Sequence, residues 1–168
     1  MSVTKVLAAA TVAGFNNQQV LEFVNGLLDG LVQDNNMDAI KPCLGDAEGL
    51  QVELTEAVGD FAKKDIADII KGVSVVGKMI GSIDNDLKDC EGVKPDIKRI
   101  QVWAAIFKHP IALFSKVFQN TIMNMDKITN DVSMIVYDAG TGDMNDLGKE
   151  IADILVIQLS PIPKIEEV

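Results

Sequence analysis

Cysteine, histidine and aromatic residues are scarce in this sequence, and these are the side chains on which many catalytic and metal centres are built. Among 168 residues there are two Cys and one His, and 5% of the chain is aromatic. A tetrahedral zinc site needs more ligands of this kind than Cys43, Cys90 and His109 can supply. The GxSxG, P-loop and HExxH motifs are also absent. The sequence therefore predicts a non-enzymatic protein with no catalytic residues, no cofactor and no metal.

His109 is followed directly by Pro110 at the junction of two predicted helices. Proline cannot continue the preceding helix, so the histidine occupies a helix end. We expect His109 to cap the last carbonyl groups of that helix. A general-base role would need a nucleophile or carboxylate partner that the spacing does not nominate.

Long apolar runs are missing too. No stretch approaches the roughly twenty apolar residues that span a bilayer, so we expect no integral membrane segment. Residues 1–14 place one Lys before a short run of apolar and small residues, which is the order found in secretory signals. The alternative is an uncleaved first helix or a capping strand. We divide the chain into this possible signal peptide, a helical domain over residues 15–160 and an extended tail over residues 161–168.

Basic residues are outnumbered, with 15 Lys and Arg against 25 Asp and Glu, for a net charge of −10. This charge repels a phosphate backbone, so nucleic acid is excluded as a partner, and it disfavours an anionic membrane surface. Three acidic segments, beginning at Asp34, Asp84 and Asp143, resemble calcium loops. Each lacks a glycine or an oxygen ligand that an EF-hand requires. Weak cation binding by surface carboxylates stays an open alternative.

The segment from Asp65 to Cys90 carries the clearest helical pattern, and Asp65 is a suitable N-cap. Its apolar residues recur at spacings of three and four, which places them on one face of a helix: Ile66, Ile69, Ile70, Val73, Val76, Ile80, Ile83 and Leu87. Gly72, Gly77 and Gly81 interrupt it, each at a cost of about 1 kcal/mol relative to Ala. We expect the close approach of a neighbouring helix backbone to explain these glycines, and we place this helix at the centre of the fold.

Five further segments show an apolar face with helical spacing: residues 18–32, 45–61, 95–109, 110–137 and 143–159. Asn16 and Asn17 are suitable caps for the first of these helices, and Asp143 is a suitable cap for the last. The fold class is therefore all-α, a single-domain bundle of about six helices. Residues 110–137 form either one long helix or two helices with a break near Asn124 to Asp126. Seven residues are predicted to form the buried face at the start of this segment: Leu113, Phe114, Val117, Phe118, Thr121, Ile122 and Met125.

Cys43 and Cys90 lie at a helix start and a helix end, where a disulfide bond could join them. The alternative is two unrelated thiols in a reducing compartment. Trp103 and a group of methionines, Met123, Met125, Met134 and Met144, are interpreted as core residues. Alternatively, these residues line a cavity that holds a lipid or other apolar ligand.

Several stretches together resemble a family of small, secreted, all-helical, two-cysteine proteins that is abundant in ciliates and related protists. These stretches are EFVNGLLDGL, IKPC, KKDIADIIKGV, IFKHP and GDMNDLGKEIADIL, and they span most of the chain. The resemblance implies a secretory route and a bond between Cys43 and Cys90, and it implies no activity.

These observations lead to two functional hypotheses. In the first, a secreted or vesicle-lumen protein assembles with copies of itself or with other proteins in a structural or matrix role. The second is a carrier that holds a lipid or other apolar ligand between its helices.

Overall fold

The computed structural model describes residues 15–33, 50–87 and 94–163, and within them the chain is helical with no strand. Seven α-helices follow one another: α1 (Asn17–Val32), α2 (Gln51–Ala62), α3 (Ile66–Leu87), α4 (Lys94–Ala104), α5 (Pro110–Met123), α6 (Met125–Thr141) and α7 (Met144–Leu159). A 3₁₀ turn (Ala105–Lys108) lies between α4 and α5. The predicted all-α, single-domain fold is confirmed.

Side-chain capping marks the start of three helices where the sequence predicted it. Asn16 accepts a hydrogen bond from the backbone N–H of Gln19, and the Gln19 side chain accepts one from the backbone N–H of Asn16. Asp65 accepts from the N–H of Asp68 ahead of α3, and Asp143 accepts from the N–H of Asp146 ahead of α7. These oxygens satisfy N–H groups that have no partner inside the helix.

The tightest helix pair is α1 with α7, which run parallel. Gly26 lies against the backbone of Asn145, and Gly148 lies against the backbone of Phe23 and Leu27. One turn further along, a Cβ atom added at Gly30 would lie 2.7 Å from the Cβ atom of Ala152. The close backbone contact expected for the glycines of α3 is therefore found between α1 and α7.

The glycines of α3 have other neighbours. Gly72 packs against the ring of Phe61 from α2, and Gly77 packs against the ring of Phe107 from the 3₁₀ turn. Beyond the adjacent backbone of α3 itself, none of the described atoms lies within 4 Å of a Cβ atom placed at Gly81. The expectation of close helix backbones along α3 is thus wrong, since two of these glycines accommodate aromatic rings and the third faces open space. The buried face of α3 is as predicted, with Val73, Ile80, Ile83 and Leu87 fully buried.

The segment over residues 110–137 forms two helices that are separated at Asn124. Asn124 has φ −126° and ψ 30°, outside the helical range, and its side-chain N–H donates to the carbonyl oxygen of Asn120. At the other end of α6, Gly142 closes the helix in a left-handed conformation with φ 83°. The break at Asn124 is one reason why the bundle has more helices than the pattern indicated.

The first part of the C-terminal tail is extended and packs against α4. The indole N–H of Trp103 donates to the carbonyl oxygen of Ser160 at 2.8 Å, and Arg99 donates to that of Pro163 at 2.7 Å. Ile162 between them is buried, and Arg99 is also paired with Asp96 at 3.0 Å. These contacts fix residues 160–163 to the bundle, and the remaining predicted tail lies outside the described residues.

Candidate functional site

A row of exposed apolar side chains runs along α5, and we call it the α5 stripe. Its members are Ile111, Phe114, Phe118 and Ile122, with 88%, 54%, 40% and 49% of each residue exposed. Their spacing of three and four residues places them on one face of the helix. The rings of Phe114 and Phe118 stack with centroids 5.7 Å apart. The stripe exposes on the order of 400 Å² of apolar surface, within the range of patches that are often functional.

Three of the four residues of the α5 stripe belong to the face that the sequence predicted to be buried, and Ile111 lies outside that prediction. Leu113, Val117 and Thr121 are buried against the bundle, as predicted. The prediction was wrong for Phe114, Phe118 and Ile122, because the neighbours of α5 cover only one edge of its apolar face. Met123, beside the stripe, is 72% exposed, and Met134 on α6 is 42% exposed, so these two are not core residues. Met144 and Trp103 are buried, as interpreted.

The charge around the α5 stripe differs from that of the whole chain. Residues 97–125 contain four basic side chains, Lys98, Arg99, Lys108 and Lys116, and no acidic one. Because the whole chain has a net charge of −10, the other residues together carry −14. Arg99 is buried and paired with Asp96, so Lys98, Lys108 and Lys116 carry the net positive charge of this stretch. The α5 stripe therefore lies in a basic stretch of an otherwise acidic sequence.

A groove lies between α3, α4, the 3₁₀ turn and α5, and we call it the α3–α5 groove. Its volume is about 700 Å³, within the range of small-molecule sites. One wall is a single face of α3: Ser74, Gly77, Lys78, Gly81 and Asn85. The apolar part of the opposite wall comes from Ala104, Ala105, Phe107, Pro110 and Leu113.

The polar lining of the α3–α5 groove is basic or neutral. Lys78 from α3 and Lys108 from the 3₁₀ turn both line it, and the amides of Asn85 and Gln101 add hydrogen-bonding groups. Among the described residues, no acidic side chain lines the groove. The groove therefore combines an apolar surface with two ammonium groups.

Two pairs of carboxyl groups lie between α6 and α7. The carboxyl group of Asp131 lies beside that of Asp153, and the carboxyl group of Asp138 lies beside that of Glu150, so that a proton held within a pair would join its two members by a hydrogen bond. A hydrogen bond between two carboxyl groups requires a proton on one of them. If all four groups were ionised, three buried oxygen atoms would receive no hydrogen bond from the described residues: Asp131 Oδ2, Asp138 Oδ2 and Glu150 Oε2. We call these contacts the carboxyl pairs.

Burial and the neighbouring carboxyl groups raise the pKa of one member of each pair. Desolvation, followed by the hydrogen bond and charge of Asp153, raises the pKa of Asp131 to about 8. Desolvation, followed by the hydrogen bond and charge of Asp138, raises the pKa of Glu150 to about 9. The nearby Lys149 is instead 3.9 Å from Asp29 of α1. Each pair is therefore expected to share one proton at neutral pH.

Two other residues that the sequence analysis considered as site residues, His109 and Asp143, lie at helix ends, where they act as caps. His109 is exposed, and its backbone N–H, rather than its imidazole, caps the 3₁₀ turn by donating to Ile106. Asp143 serves as a helix cap. Cys43, Cys90 and the acidic segment at Asp34 lie outside the described residues, so the disulfide bond stays a prediction.

Among the described residues, no group of three or more His, Cys, Asp or Glu side chains is placed to hold a metal ion. The described helices include none whose length and apolar content would allow it to cross a membrane.

The sequence matches the SctB-like family, described as secreted protein B-like, over residues 4–160. The chain belongs to the SctB-like family. This membership supports the resemblance to secreted proteins that the sequence suggested, and it assigns no ligand, partner or activity. No curated protein and no solved structure matches the chain.

Proposed function

We propose that this SctB-like protein is a secreted, non-enzymatic helical protein that associates with copies of itself through the α5 stripe. The observation that carries the proposal is the exposure of Ile111, Phe114, Phe118 and Ile122 on one helix face. The family description supports the secreted location. The proposed compartment is the extracellular space or the lumen of a secretory vesicle.

The charge distribution favours a second copy as the occupant of the stripe. Two α5 stripes facing each other would bring the lysines of two basic regions together. A contact between the basic region of one copy and the acidic remainder of another brings opposite charges together. Such a head-to-tail contact forms a closed ring where the rotation between copies allows it and an open, larger assembly where it does not.

The size of the α5 stripe limits the strength of the contact. A stable interface buries about 800 Å² on each partner, whereas the stripe exposes on the order of 400 Å². Polar residues around the stripe would have to complete the interface. Association is therefore expected to depend on protein concentration and to weaken as salt screens the opposite charges.

Ile111→Glu tests this proposal, with Val52→Glu as its matched control. Both are exposed β-branched residues at the second position of a helix, and both substitutions add one negative charge. Sedimentation velocity across a wide concentration range should show a rising average mass for the wild type and for Val52→Glu. Ile111→Glu should stay monomeric. A wild type that is monomeric throughout, or equal effects of the two substitutions, would refute the proposal.

The α3–α5 groove favours a second candidate function, the carriage of an apolar ligand. Its volume of about 700 Å³ and its largely apolar walls are suitable for a small molecule. Retention of a ligand after purification would support this candidate. No change of stability after removal of bound lipid would count against it.

A further inference from the structure

The shape of the α3–α5 groove suits an extended ligand. The face of α3 that lines it runs from Ser74 to Asn85, and eleven residues of α-helix rise about 16 Å. At Gly77 the ring of Phe107 fills the space beside α3. At Gly81, one turn further along, no described atom outside the adjacent backbone of α3 lies within 4 Å of the position of a Cβ. The groove is therefore open beside Gly81.

The absence of a side chain at Gly81 is notable because glycine lowers the stability of a helix interior by about as much as a lost hydrogen bond. Gly72 and Gly77 each accommodate an aromatic ring, but Gly81 accommodates no described atom of the protein. A larger residue would be a better helix former and would project into the groove. Gly81 keeps this part of the groove empty.

The charges of the groove select the kind of ligand. Lys78 and Lys108 line it from different elements, and the side chains that the structure describes along it include no acidic one. Ammonium groups form strong hydrogen bonds with carboxylate and phosphate oxygens. Leu113 and Phe107 supply apolar surface that a compact, fully polar anion would leave without a partner.

We propose that the α3–α5 groove binds a single-chain amphiphile, with its hydrocarbon chain along Gly81 and its anionic headgroup at Lys78 and Lys108. This assignment specifies the ligand class of the carrier function and is independent of association through the α5 stripe. Carboxylate and phosphate headgroups share the required chemistry, and they are compared directly below.

Isothermal titration calorimetry of the full chain tests this site, with dodecanoate and dodecyl phosphate as probes below their micelle concentrations. We expect saturable binding of at least one of the two, and the tighter one identifies the headgroup. Lys78→Gln and Lys108→Gln should each weaken binding about tenfold, because each removes a charged hydrogen-bond donor. Dodecyltrimethylammonium, which has the same chain and the opposite charge, should bind at least about tenfold more weakly.

Two substitutions at one position separate groove occupancy from folding. Gly81→Leu should abolish binding because its side chain fills the groove, and it should not lower the thermal stability because Leu favours helix. Gly81→Ala should retain binding because its Cβ meets no neighbour. Unchanged dodecanoate and dodecyl phosphate affinities in Gly81→Leu, equal binding of the cationic probe, or no saturable binding of either anion would overturn the proposal.

The same variants distinguish this proposal from the assembly proposal. Gly81→Leu should lose ligand binding and still associate, whereas Ile111→Glu should stop associating and still bind the ligand. Loss of both properties in Gly81→Leu with unchanged thermal stability would contradict the independence of the two sites.

Discussion

The carboxyl pairs make the stability of the bundle depend on pH, and Glu150→Gln is the perturbation that reveals it. In the folded protein the pKa of Glu150 is about 9, raised from an ordinary value of 4.5, mainly by desolvation. Between these values the folded state holds a proton that the unfolded chain has released. The stabilisation that protonated Glu150 adds to the folded state is therefore fully present below about pH 4.5, and it is lost as the pH rises towards 9. Asp131 acts in the same direction, with a folded pKa of about 8.

The magnitude follows from the pKa difference and from the position of the side chain. For a group that is protonated in the folded state and ionised in the unfolded state, the free energy of unfolding falls by about 1.4 kcal/mol for each pH unit. Between pH 5 and pH 8 this amounts to about 4 kcal/mol. Glu150 and Asp131 are only partly buried, so solvent screening reduces the effect. We expect a loss of about 1 to 2 kcal/mol in the free energy of unfolding for each pair.

Urea unfolding at pH 5 and pH 8 measures this effect, with Glu56→Gln as the control. Both substitutions replace a glutamate on a helix by its neutral amide counterpart, but Glu56 is exposed on α2. Glu150→Gln should raise the unfolding free energy at pH 8 by about 1 to 2 kcal/mol and change it little at pH 5. An equal response of the two variants at pH 8 would show that general charge repulsion, and not the pair with Asp138, controls the pH dependence.

The α1–α7 contact and the cysteines give two further predictions. Gly148→Ala should lower the free energy of unfolding by about 2 kcal/mol or more in chemical denaturation, because the new Cβ meets the backbone of α1. Gly59→Ala, which meets no neighbour, should raise it by about 1 kcal/mol. Intact mass spectrometry of protein from its natural source should show a bond between Cys43 and Cys90 that reductant opens. It should also show a chain that begins near Phe15, and a full-length chain with free thiols would contradict both expectations.

The sequence contained enough information for the helices because their apolar spacing and their caps are local properties. Asn16, Asp65 and Asp143 could be recognised as caps without knowledge of the fold, and each accepts the expected hydrogen bond. The ending of α5 at Met123 was harder to predict, because the apolar spacing continues across Asn124 into α6.

Contacts between helices could not be predicted in the same way. The carboxyl pairs join residues of α6 and α7, and their meeting depends on how two antiparallel helices are aligned. Spacing along one chain does not determine this alignment. The glycines show the same limit, since a glycine pattern indicates close contact without identifying the neighbour. Gly148 meets backbone, Gly77 meets an aromatic ring and Gly81 meets neither.

The α5 stripe marks the place where the pattern and the fold disagree most. Local pattern, burial and packing usually indicate the same structure, and the exceptions concentrate at functional sites. On α5, seven positions with helical spacing predicted one broad buried face, but Phe114 and Phe118 are exposed while Leu113 and Val117 are buried. Because Phe114 is 54% exposed and Phe118 is 40% exposed, about half of the hydrophobic free energy of these two rings is unused in the isolated fold. A second surface that covers them would recover part of that free energy, which is why the stripe, rather than the carboxyl pairs, carries the proposed association.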